Sequence, residues 1–173
     1  MVAGVLAAGA IPDAHALSDA PAKPQNLVEI TPQITTSAQP TAAFLESLKA
    51  QGFGAVIFIA PPTVGNAVKE EPFIVGKQGL LYANVPVNFM APTAADFNAF
   101  RGVLNAWRDR KVLVHCQVNM RASVFMFLYR VLQDNEPPEK AYENVRKIWN
   151  PDPVWREFLS STLKTNGIVF EPL

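Results

Sequence analysis

Residues 111–131, KVLVHCQVNMRASVFMFLYRV, hold the one cysteine of the 173-residue chain. A β-branched apolar run climbs to His115 and Cys116, four residues follow, and Arg121 opens a segment that is apolar nearly all round. The pattern reads as a buried strand, a tight turn and a buried helix. Working outward from it, GAVIFIAPP (54–62) is a second continuous apolar run ended by prolines, and LLYANVPV (80–87) a third. NLVEITPQI (26–34) is a short strand closed by TTSAQPT, and residues 63–79 form a loop with at most one helical turn.

Helices fill the gaps. Thr41 caps one over 42–53 that Gly52 stops. Thr93 caps another, with Phe97, Phe100, Val103, Leu104 and Trp107 at helical spacing. Two more, 137–149 and 152–167, close the chain. Strands alternating with helices imply an α/β fold: a central, mostly parallel sheet of about four to five strands with helices on both faces. Ligands of such sheets bind at the carboxyl ends of the strands, which is where Cys116 lies.

Composition narrows the classes. Apolar residues make up 49% and charged ones 17%, and 15 basic residues balance 15 acidic ones at a formal net charge of +0. With no basic stripe, nucleic acid is not an expected partner, and no run approaches a membrane span. The length suits a single domain over 26–173, preceded by an alanine-rich leader over 1–25. In that leader, AHA (14–16) has the form of a signal-peptidase site, so a periplasmic or secreted protein is expected, with a cytoplasmic one as the alternative. One cysteine allows no internal disulfide, and no His, Cys or carboxylate cluster has metal-ligand spacing. Neither a metal nor a cofactor is expected, and the oligomeric state is not legible.

The turn itself carries chemistry. Amides at a helix start are unpaired and electropositive, and a turn wrapped onto them forms a nest for a tetrahedral anion. A thiol held there ionises readily, and an arginine can grip two oxygens of a phosphate-like group. The bland alternative is a cysteine packed as a small hydrophobe, under which the arginine five positions on is a coincidence. His115 is expected to donate to nearby backbone and shape the cysteine loop. The loop through Lys69, Glu70 and Glu71 reads as a solvated connection near the pocket mouth, and Arg146, Lys147, Trp149 and Trp155 as packing and surface charge.

VLVHC....R opening a buried helix resembles the signature of cysteine-dependent tyrosine and dual-specificity phosphatases. LLYANVPV and the helix after it resemble the same group, and TSAQP (36–40) is similar to the TSGQP-like turn of a bacterial subset. The resemblance implies a phosphatase-like fold and a phosphorylated protein or small phosphoester as substrate. It makes Cys116 the nucleophile, forming a phosphocysteine. Arg121 becomes the phosphate clamp, and the amides of Gln117, Val118, Asn119, Met120, Arg121 and Ala122 the cradle.

This chain departs from that pattern in places. The loop holds four residues instead of five and no glycine, with Asn119 where related short loops carry one. Asn88 stands where a general-acid aspartate is usual. Asp96 is the nearest carboxylate downstream, open to a role as general acid or as the third residue of a helix cap. Ala122 follows the arginine, leaving Ser123 either to reach the thiolate or to face its own helix. Two other functions stay open. The four-residue loop fits a rhodanese-like sulfurtransferase carrying a persulfide on Cys116, and the missing acid fits a catalytically inactive binder of phosphate or protein.

Overall fold

The computed structural model describes residues 21–172. Most of the leader, with its AHA tripeptide, lies outside the described residues. Its last residues do not: Pro24 is buried, and the Gln25 carbonyl accepts from the Ala38 amide.

Five strands form one sheet: β1 (Val28–Thr31), β2 (Ile34–Ser37), β3 (Ala55–Phe58), β4 (Leu81–Asn84) and β5 (Val112–His115). Their order is β1-β2-β5-β3-β4, and all neighbours are parallel except the β1–β2 hairpin. The cysteine strand is therefore central, as its apolar run implies. Six helices complete the fold: α1 (Ala42–Glu46), α2 (Glu71–Gly76), α3 (Ala94–Ala106), α4 (Met120–Leu132), α5 (Pro138–Arg146) and α6 (Pro153–Thr165). Among the described residues no helix is long and apolar enough to cross a membrane.

Alternating residues of the central strands feed two cores. Ala55, Ile57, Val112 and Val114 pack with α3, α4, α5 and α6, whereas Val56 and Leu113 pack with Phe44, Leu45, Ile74 and Val75 of α1 and α2. Helices thus cover both faces. α4 is buried from Arg121 to Val131, and each sequestered Phe or Leu there contributes about 2 kcal/mol.

Two expectations need correction. The single strand expected over 26–34 divides into β1 and the start of β2, and TTS (35–37), expected as turn, continues β2, because Thr35, Thr36 and Ser37 lie beside β5 and are buried. β-branched threonine suits that pleated setting. The first helix ends at Glu46 instead of running on to Gly52, because the Ser47 hydroxyl bonds the Phe44 carbonyl at 2.7 Å and competes with the next turn. Registers align Ser37, His115 and Phe58 side by side, so the carboxyl ends of β2, β5 and β3 open onto one rim.

Candidate active site

Cys116 leaves β5 at that rim, and Arg121 sits one residue into α4. Both are buried, at 0% and 5% exposure. Burial lowers the Arg121 guanidinium from its ordinary range, and the nearby Cys116 sulfur pulls in the opposite direction. Sulfur and guanidinium therefore face each other. Arg121 Nε also donates to the Val87 carbonyl at 3.1 Å, and its guanidinium carbon lies 5.0 Å from the Phe89 ring centroid.

The turn between them is held from outside. The Gln117 carbonyl accepts from the Gln39 amide at 3.2 Å and Asn66 Nδ2 at 3.1 Å, and the Val118 carbonyl accepts from Asn26 Nδ2 at 3.0 Å. In a trans peptide the following N–H points opposite to its carbonyl. Pulling the Gln117 carbonyl outward turns the Val118 amide inward, whereas the Asn119 amide faces β2 across the bridge between Ala38 and Val118. Among the described residues, no acceptor takes the N–H of Gln117, Val118, Met120, Arg121 or Ala122. That is the donor set an anion nest needs.

Asn119 makes the short loop possible. It adopts φ +73°, a left-handed conformation that asparagine tolerates, and no side-chain cap bond closes the helix above it. Its Nδ2 turns away instead, donating to the Asn26 carbonyl at 2.6 Å and Thr36 Oγ1 at 3.1 Å.

No protein-family model and no curated protein matches the sequence. Solved structures do. A DUF442 protein from Shewanella putrefaciens CN-32, provisionally named a phosphatase, superposes with a TM-score of 0.75 at 29% identity, over 82% of this chain and 93% of that one. Tk-PTP in its active form gives 0.64 at 19%, covering 81% and 95%. The catalytic core of a PP-IP phosphatase from S. cerevisiae, solved with citrate, gives 0.64 at 16%, covering 79% and 84%. The chain has the phosphatase fold.

Within that fold the remaining candidates separate. His115 was expected to donate to backbone. Instead its Nε2 lies 2.5 Å from Glu71 Oε1, its ring stacks on Phe58 at 4.7 Å, and among the described residues its Nδ1 has no partner. Glu71 is correspondingly no solvated connection: it is 1% exposed, while Lys69 and Glu70 before it are exposed. Burial, and secondarily the Glu71 charge, push the Tyr82 phenol far above its usual range. Asp96 completes the capping box, its Oδ2 accepting from the Thr93 amide at 2.9 Å and hydroxyl at 2.7 Å. Asn88 Oδ1 accepts from the Met90 amide at 3.0 Å. Ser123 faces its own helix: its hydroxyl donates to the Met120 carbonyl at 2.8 Å and accepts from Trp149 Nε1 at 3.3 Å.

Several contributors were not singled out from sequence: Gln39, Asn26, Asn66, Thr36 and Phe89; the two tryptophans were read only as packing. Trp155 Nε1 donates to the Phe89 carbonyl at 2.9 Å, so Trp149 and Trp155 brace the site's wall as well as packing. TSAQP, read only as a turn, was the available signal for Gln39 and Thr36. Among the described residues no group of His, Cys, Asp or Glu could hold a metal ion.

Proposed function

We propose that the protein is a cysteine-dependent phosphatase acting on a phosphorylated protein or a small phosphoester. The Cys116 thiolate attacks phosphorus, the bond to the leaving oxygen breaks, and a phosphocysteine forms. Arg121 and the inward amides take up the charge of the equatorial oxygens. Water then attacks phosphorus, releasing inorganic phosphate and the thiolate. The observation that carries this reading is the meeting of Cys116 sulfur and Arg121 guanidinium beneath five unclaimed amides.

With Asn88 in an amide turn and Asp96 in a cap, no carboxylic acid is committed to protonating the leaving oxygen. Substrates that leave as weak bases, such as aryl phosphates, are favoured accordingly. The same two observations support a second reading, a catalytically inactive binder of phosphate. The loop of four residues supports a third, sulfur transfer through a Cys116 persulfide.

Paired assays distinguish the three. A phosphatase releases phosphate from an aryl phosphate, is inhibited by vanadate, and loses at least ~10³-fold in rate in Cys116→Ser. A sulfurtransferase yields thiocyanate from thiosulfate and cyanide. A binder does neither, and holds vanadate in a manner that Arg121→Ala removes. Wild type with no activity and no vanadate affinity overturns the phosphatase reading.

A further inference from the structure

The His115–Glu71 pair is buried on the side of the sheet opposite the thiol. His115 follows Leu113 in the strand's alternation and shares its face with α1 and α2, whereas Cys116 packs in the core formed with α4. Glu71 cannot touch a substrate at the sulfur from there, yet an ionised carboxylate is costly to keep at 1% exposure without a role for its bonds. Its two oxygens are both engaged. Oε1 meets His115 Nε2 at 2.5 Å, and Oε2 accepts from Gln39 Nε2 at 2.8 Å.

Each arm leads to one end of the turn. His115 is the residue before Cys116. Gln39 donates its own amide to the Gln117 carbonyl, the residue after Cys116. One carboxylate on α2 therefore ties the chain on both sides of the nucleophile, across sequence separations of 44 and 32 residues. We propose that Glu71 is a positioning residue for the Cys116 turn: through His115 and Gln39 it fixes the peptide planes that aim the amides at the sulfur.

This inference rests on Cys116 being an acidified nucleophile, and it makes a signed claim. A buried negative charge near a thiol disfavours the thiolate, so removing Glu71 for its charge alone would make the thiol more acidic. Removing it as a positioner loosens the amide cradle and makes the thiol less acidic. Other titratable groups facing the region are Arg121 on α4, near the sulfur, and Tyr82 on β4, within the field of Glu71.

With one cysteine in the chain, thiolate absorbance against pH, taken as the difference from Cys116→Ser, reports this site alone. Glu71→Ala should move the titration midpoint upward by about one pH unit, roughly tenfold less thiolate at neutral pH. Glu71→Gln keeps both arms without the charge, its amide oxygen accepting from Gln39 and its NH2 donating to the Nε2 of a neutral His115, and should restore most of the wild-type midpoint. Glu136→Ala, which breaks the Arg130 ion pair at the far end of α4, should lower the melting temperature and leave the midpoint in place. If Glu71→Ala does not fold, Gln39→Ala removes one arm from a half-buried position and should shift the midpoint in the same direction.

A downward or absent shift in the folded variants overturns the proposal, as does Glu71→Gln titrating with Glu71→Ala, or Glu136→Ala shifting equally. A wild-type thiol of ordinary acidity overturns the nucleophile reading and this one with it. An acidic wild-type thiol indifferent to Glu71 and Gln39 overturns this one alone.

Discussion

Two helices begin at the same rim of the sheet and begin differently. α3 closes its own N-terminus: Thr93 accepts from the Asp96 amide at 3.1 Å, and Asp96 returns the bond to Thr93. α4 leaves its N-terminus open. Its cap residue, Asn119, spends its side chain on Asn26 and Thr36, and the amides of Met120, Arg121 and Ala122 keep no protein acceptor. A capping box satisfies a helix end within four residues. An open end must be held by the rest of the molecule, and what it gains is a set of donors free for an anion. The contrast separates a helix end that satisfies itself from one that leaves its donors open.

Breaking the open end should have the largest effect. Arg121→Ala removes two charge-assisted bonds to a bound oxyanion, so vanadate or inorganic phosphate should bind at least ~10²-fold more weakly. Titration calorimetry or protection of Cys116 from alkylation measures this. Thr93→Ala in the same assay should bind like wild type.

Asn119→Val forces a β-branched residue into the left-handed region and deletes two hydrogen bonds. It should cost roughly 1–3 kcal/mol, with the melting temperature falling about 2–4 °C for each kcal/mol. Asn119→Gly keeps the backbone geometry and should cost less. A melt in which both variants match wild type would show that the short turn does not depend on this conformation.

Thr93→Ala should cost about 1 kcal/mol and leave the Cys116 titration unchanged. Any shift of that titration would mean that the two helix ends are not independent.

The smallest expected effect lies at the other end of α4, which is closed like the start of α3. There Arg130 Nε donates to Glu136 Oε2 at 2.6 Å, and the Glu136 amide returns to the Arg130 carbonyl. The hydrogen bond from Arg130 holds the Glu136 carboxyl below its usual range. A depressed acid stabilises the fold above the unfolded-state value and loses that contribution as pH falls through the folded one. Glu136→Gln should therefore lower stability at neutral pH and flatten the acidic limb of melting temperature against pH.

How much of this could be read from the chain follows from how far apart the partners lie. Thr93 and Asp96 are three residues apart, and their cap was legible as one of two roles for Asp96, of which the structure shows the cap. Cys116 and Arg121 lie within one turn, and so did Asn119, whose left-handed backbone follows from what asparagine tolerates. Most of β2 was not legible, because TTS looks like loop until β5 is placed beside it. Ser123 was readable as two alternatives, and only packing against Trp149 turned it to its own helix. Trp149 and Trp155 were assigned to packing, which is true of their rings and incomplete for their indole N–H groups.

The sequence by itself determined the alternating strands and helices, the central place of the cysteine strand, and the cysteine and arginine that flank the turn at its end. Those features depend on hydrophobic period and on residues within one helical turn of each other, which local sterics and local hydrogen bonds decide. Only the tertiary structure decided what holds the turn. Glu71 reads as one more surface acid until α2 lays it beside His115, and Gln39 reads as a loop residue and Asn26 as the first residue of a strand until the sheet brings them to the turn's carbonyls. Contacts across 32 or more residues leave no period in a sequence, because it is the close packing of the folded sheet and helices that brings them together.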